Sequence, residues 1–282
     1  MEYLLVLFAA LLHASWNGLL KHSTSRVVSL SFNRLVGVVL GVCLIAYLPP
    51  LEIQAWPYLL IACAVHIIYF FSLISAYQHG DFSQVYPLSR GVAPVIILIA
   101  GWLWGTDHLG RYEILGIIII CLGIILLAGR LTSSDKHALF FAGITACCIA
   151  GYTLASGMGV RQASHFLTYA AWLETLSGLG FIIIATIRYG HQQMWQDITF
   201  SKVKWDMLSG LLATGGFAVA LWAMSTIPIA TVAALRESSV VFAAIIAWLF
   251  LNERYGIKRI IASTMVFLGI VVLLLGKQIT LF

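Results

Sequence analysis

Apolar residues run along this chain in blocks of about twenty, separated by short polar connections. The blocks lie near residues 2 to 20, 27 to 48, 55 to 77, 83 to 104, 112 to 129, 138 to 157, 166 to 187, 205 to 226, 229 to 251 and 259 to 276. About twenty apolar residues at ~1.5 Å each cross the hydrocarbon core of a bilayer, so each block predicts one membrane-spanning helix. The hydrophobicity is continuous and does not alternate over ten-residue stretches, which excludes a transmembrane β-barrel. The expected fold class is all-α, a polytopic membrane protein of ten transmembrane helices.

The polar positions hold a register of their own. Pro87 to Gly129 aligns with Ala233 to Leu275 without a gap at an offset of 146, pairing Arg90 with Arg236, Trp102 with Trp248, Asp107 with Glu253 and Leu122-Gly123-Ile124 with Leu268-Gly269-Ile270. Upstream, Ala14-Ser15-Trp16-Asn17 corresponds to Ala150-Gly151-Tyr152-Thr153, and Arg34 to Glu174. The chain therefore reads as two repeats, 1–134 and 135–282, of five spans each. An odd number of spans makes the second repeat enter the membrane in the opposite sense, an inverted repeat with a pseudo-two-fold axis in the membrane plane. Such a pair can rock between two near-equivalent arrangements around a midplane site, the basis of alternating access. Small residues at Gly116 and Gly123, and at Ala262 and Gly269, predict close helix approach joining the halves; Gly37, Gly41, Gly101 and Gly105 read as packing positions too.

Composition agrees with the pattern. Hydrophobic residues make up 61% and charged residues 10%, too few charges for a water-soluble surface. The net charge of +5 does not point to nucleic acid, because Lys and Arg form no stripe or tail. They fall instead on one side of the membrane: Lys21, Arg26, Arg130, Lys136, Arg188, Lys202, Lys204, Arg254, Lys258 and Arg259 against Arg111, Arg161 and Lys277. That bias predicts a cytoplasmic face for the richer side and both termini outside. Glu2 stands where a cleaved leader would carry positive charge, so the first block is expected to be a permanent helix. The five cysteines all lie in apolar blocks without metal-ligand spacing and read as packing residues.

His13-Ala14-Ser15-Trp16-Asn17, Arg34 within Phe32-Asn33-Arg34-Leu35, and the paired helix ends Trp102 to Asp107 and Trp248 to Glu253, the latter inside Leu251-Asn252-Glu253-Arg254, together resemble the EamA branch of the drug/metabolite transporter superfamily. The resemblance covers essentially the whole chain. It implies a ten-helix inverted repeat that moves metabolites across the bacterial inner membrane. Tyr86-Pro87-Leu88-Ser89-Arg90-Gly91-Val92-Ala93-Pro94 and Leu235-Arg236-Glu237-Ser238-Ser239 depart from the commonest EamA form and are similar to a subgroup that includes permeases associated with phosphonate utilisation.

Intramembrane ionisable groups cost at least about 2.5 to 3.5 kcal/mol each on insertion scales and so need a reason. Arg90 and Arg236 lie about 10 Å inside the fourth and ninth spans, entering from opposite sides. They could bind solute in a central cavity, or lock helices together through a salt bridge. Pro87 and Pro94 flank Arg90 and predict a kink there. Glu237, about 100° around the helix from Arg236, needs its partner on another helix, in the solute, or as a proton. Arg34 is expected to be structural, while Glu174 is open to either role. A carboxyl in low dielectric could exchange protons near neutral pH; one paired with Arg would stay charged. His13, Trp16 and Asn17 share a helix face, as do His66 and Tyr69. With Tyr86, Tyr152 and Trp222 they could form a polar, aromatic lining, although each alone reads first as a packing or interface-belt residue.

Three intramembrane Arg against two Glu predict an anionic or zwitterionic solute of metabolite size, for which the guanidinium fork suits carboxylate, phosphate or phosphonate. The functional expectation is a secondary transporter, with protons as a second partner and the lipid bilayer as surroundings. A flippase for a lipid-linked substrate is the alternative. H-E-x-x-H, G-x-S-x-G and P-loop motifs are absent from the sequence, so no enzyme activity, nucleotide drive, metal or cofactor is expected.

Overall fold

The computed structural model describes residues 2–21, 26–79, 82–107, 109–128, 136–190, 192, 200–242, 245 and 257–279. Arg130, Trp248 and the segment Leu251 to Arg254 lie outside the described residues, and so does the side chain of Tyr86. Among the described residues there are ten α-helices of eight residues or more, and no strand. They are α1 (Glu2–Lys21), α2 (Arg26–Ile45), α3 (Trp56–His79), α4 (Phe82–Trp104), α5 (Arg111–Ala128), α6 (Lys136–Val160), α7 (Phe166–Tyr189), α8 (Phe200–Thr226), α9 (Ile229–Arg236) and α10 (Ile257–Ile279). Seven are long and apolar enough to cross a membrane. A 3₁₀ turn at Ile53–Ala55 leads into α3.

Hydroxyl residues inside these apolar helices bond to their own backbone. Ser31, Thr145, Thr175, Ser177 and Thr186 each donate to the carbonyl four residues back, at 2.6 to 2.9 Å. That local pairing is how a hydroxyl is accommodated where water is absent. Helix ends are shaped by individual residues. His165 caps α7 by accepting from the Leu167 N–H at 3.3 Å, and Gly190, at φ +83°, closes its far end by donating to Thr186.

The chain forms two compact units, each drawing on both sequence halves. One comprises residues 1–67 and 155–225; the other comprises 68–154 and 226–282. In the first unit α2 packs along α7. Gly37 and Gly41 meet Glu174 and Thr175, and Gly178 meets Val38 and the Arg34 carbonyl. In the second unit α10 runs along α5, α4 also packs on α5, and α9 lies against both α4 and α5. A Cβ on Gly116 would stand 2.7 Å from the Gly269 carbonyl, and one on Gly123 would stand 3.1 Å from the Ala262 carbonyl. These backbones are in contact, as the small-residue spacing predicts.

Two sequence expectations need correction. The ninth block, read as one continuous span from 229, is interrupted: α9 ends at Arg236, a turn occupies 237–238, and helix resumes at 239. Gly105 does not serve packing. At φ +63°, with Gly105 N–H bonded to Trp102 and Thr106 N–H to Gly101, it forms a left-handed C-terminal cap on α4 that a residue with a Cβ resists. α4 is helical through both Pro87 and Pro94.

Candidate functional site

Two ion pairs are buried in the described part of the molecule, one in each compact unit, and they differ in how well they are satisfied. In the first unit Arg34 Nη1 donates to Glu174 Oε2 at 3.2 Å. Arg34 also donates from Nε and Nη2 to Asn33 Oδ1, at 3.1 and 2.8 Å. Asn33 Nδ2 then donates to Ser209 Oγ at 2.8 Å, and Ser209 to the Asp206 carbonyl. This chain of bonds ties α2 to α7 and α8. Its members are almost fully buried, Asn33 at 0%, Arg34 at 4% and Glu174 at 3% exposure. Connected networks of this kind specify one packing arrangement.

In the second unit Arg90 Nη1 donates to Glu237 Oε1 at 3.1 Å. The other carboxylate oxygen, Oε2, is buried without a hydrogen-bond partner. Glu237 stands on the turn that ends α9, where its N–H is shared between the Ala233 and Ala234 carbonyls. From here the backbone bonds to the third residue back at Ser238, Val240 and Val241, the tighter 3₁₀ pattern that marks hinges and strained positions inside helices. Arg236 occupies the last turn of α9, where a cation complements the carbonyl end of the helix dipole. Pro94, one turn beyond Arg90, has no N–H to offer the Arg90 carbonyl.

Arg90, Arg236 and Glu237 line a cavity together with Tyr152 and Thr153 of α6 and an apolar wall that includes Ala93, Ile97 and Ile149. About 10 Å³ of it is open to the centre of a water-sized sphere, room for about one water. The formal charge of the three ionisable groups is +1, from two guanidinium groups and one carboxylate. Tyr69 packs on Tyr152 with ring centroids 5.6 Å apart and backs the lining from α3.

The structure thus brings together Arg90, Arg236, Glu237 and Tyr152, with Tyr69 behind them. Of the other sequence-derived candidates, the Tyr86 side chain lies outside the described residues, and the rest lie in the first unit. Trp16 Nε1 donates to His13 Nδ1 at 3.2 Å and Asn17 Nδ2 to the His13 carbonyl at 2.8 Å, a local arrangement on one face of α1. His66 is buried against Phe217, 6.0 Å between centroids. Trp222 is half-buried on α8, and Glu174 belongs to the Arg34 network.

One structurally important residue escaped sequence reasoning. Asp107 Oδ2 accepts from the Ala230 N–H at 3.2 Å, so the end of the fourth span caps the start of α9. Its signal was an acidic residue two positions after a glycine at a helix end.

Residues 1–129 and 136–275 match the EamA-like transporter family, nearly the whole chain. No curated protein matches the sequence. A solved structure titled only "Crystal structure of protein" superposes with a TM-score of 0.73 over 98% of each chain, at 16% identity, a likeness of fold alone. With seven apolar helices long enough to span a bilayer, the chain is a multi-pass membrane protein.

Proposed function

We infer, because the chain belongs to the EamA-like transporter family, that it is a secondary transporter moving a small anionic or zwitterionic metabolite across the bacterial inner membrane by alternating access. The observation that carries this reading is the buried cavity with two guanidinium groups, a carboxylate and a tyrosine on its wall. A guanidinium is the side chain best matched to two oxygens of a carboxylate, phosphate or phosphonate. Burying three ionisable groups at membrane depth is costly and needs a functional or structural return. The Arg34 network shows what a structural return looks like in this molecule. The Arg90 pair leaves an oxygen unsatisfied, beside a cavity.

Reciprocal contacts support the inverted repeat. In the 146-residue register Gly116 corresponds to Ala262 and Gly123 to Gly269; Gly116 meets Gly269, and Gly123 meets Ala262. Residue i touching the equivalent of j, while j touches the equivalent of i, is the signature of a two-fold relation. Arg34 and Glu174, equivalent positions by sequence, touch each other, as residues on such an axis would. The cavity accommodates about one water, so solute entry requires the helices around it to move, consistent with an occluded stage of a rocking cycle.

The test is a thermal-shift screen of the detergent-purified protein against pools of amino acids, phosphonates, phosphate esters, organic cations and lipid-linked sugars. A ligand that binds only the folded state raises the unfolding temperature. Stabilisation by a small anion or zwitterion, lost in an Arg90→Gln variant that still folds, is the expected result. A response confined to lipid-linked sugars would favour a flippase, and one confined to cations would overturn the charge argument.

A further inference from the structure

We propose that the Arg90–Glu237 ion pair is an exchangeable latch, through which one monoanion and one proton load the cavity together. The oxyanion of the solute takes the place of Glu237 on Arg90, with Arg236 as its second contact. The displaced carboxylate takes up a proton. This rests on the transporter reading and adds to it the charge class of the solute and the coupling ion.

Geometry carries the first part. An anion that reaches the Arg90 guanidinium competes with what already holds it, and one such partner is Glu237 Oε1 at 3.1 Å. The grip on that occupant is partial. One oxygen of Glu237 is bonded to Arg90, and the other is buried without a partner, whereas Arg34 anchors both Glu174 and Asn33. Glu237 also stands on the tightened turn between α9 and the helix resuming at 239, where a small backbone rotation carries the carboxylate away from α4.

Charge balance carries the second part. With Glu237 ionised the cavity holds +1. A monoanion added alone would bring this to zero, and a monoanion with a proton on Glu237 returns it to +1. Loaded and unloaded states then present the same net charge to the low-dielectric surroundings. The groups facing Glu237 are Arg90 from α4, Arg236 on its own element, Tyr152 from α6 and Cys121 from α5, with Asp107 beyond them at the start of α9. Arginine keeps its charge, and phenol and thiol are ordinarily neutral near pH 7. Glu237 is therefore the group lining the cavity itself that is able to change charge. The bond made is O–H on Glu237, its proton drawn from the water on the side from which the solute enters. No covalent bond to the solute forms or breaks.

The test is binding of L-lactate and of methanesulfonate, both singly charged across the neutral range, to the full-length purified protein from about pH 5.5 to 8.5. If one proton enters with each anion, affinity falls about tenfold per pH unit once Glu237 is ionised. Glu237→Gln, a fixed mimic of the protonated acid, should bind both probes with no pH slope. Flat binding in the wild type, or a slope retained in Glu237→Gln, overturns the latch and leaves the transporter reading standing. The wild-type slope alone decides the matter if the variant fails to fold. Failure of either probe to bind at any pH also overturns the latch, while the broader anion reading stands or falls on the pooled screen.

Discussion

At the scale of single residues, the two buried ion pairs should respond differently to mutation. Removing Arg34 leaves Glu174 and Asn33 buried without their donor, and breaking such a pair costs about 3 to 5 kcal/mol. Arg34→Met is thus expected to lower the unfolding temperature sharply. A combined Arg34→Met, Glu174→Met protein should recover most of the loss, because no uncompensated charge remains. Arg90→Gln should cost less, since Gln can still donate to Glu237 and the half-satisfied carboxylate can take a proton, yet it should abolish anion binding. Thermal unfolding of the three purified proteins checks this ordering. Arg34, Arg90, Glu174, Arg236 and Glu237 were visible in the sequence as costly groups in apolar blocks, and Arg34 and Glu174 as equivalent positions. The pairing of Glu237 with Arg90 was not visible, because it depends on which helix α9 faces, and periodicity within one helix carries no such information.

At the scale of elements, span ends follow from where twenty apolar residues begin and stop, and sequence locates most of them to within a few positions. The break in the ninth span is different. Leu235-Arg236-Glu237-Ser238 holds neither Pro nor Gly, and the interruption coincides with a side chain held from α4. Asp107 was likewise legible only as a repeat partner of Glu253, since its target, the Ala230 N–H, is supplied by the fold. Gly105→Ala should destabilise by about 1 to 2 kcal/mol through its left-handed backbone and should also displace Asp107. Gly269→Ala meets the Gly116 carbonyl at 2.8 Å and Ile120 at 2.7 Å, and should cost about 1 to 3 kcal/mol through overpacking. Gly143→Ala, with nothing within 4 Å, is the control and should be neutral or stabilising by up to about 1 kcal/mol. Unfolding temperatures of the three variants separate backbone strain from helix contact.

At the scale of the whole molecule, the register of 146 residues and the reciprocal glycine contacts support the proposal of a chain made of two like halves. The excess of Lys and Arg in alternate connections predicts both termini on the outer side. Single cysteines placed at Gln54 and Gln162, in a background without the native five, should react with a membrane-impermeant thiol reagent in intact cells, whereas one at Lys204 should not. The reverse pattern would show the opposite orientation, and a mixed pattern an error in the number of spans between them. The proposed halves of opposite sense would serve alternating access, and the proposal they bear on most directly is transport through the Arg90 cavity. Uptake of the anion selected by the thermal-shift screen into proteoliposomes decides it. The wild-type protein should give saturable uptake above protein-free vesicles, and Arg90→Gln, incorporated to the same level, should give none. Equal uptake by both proteins would contradict the account.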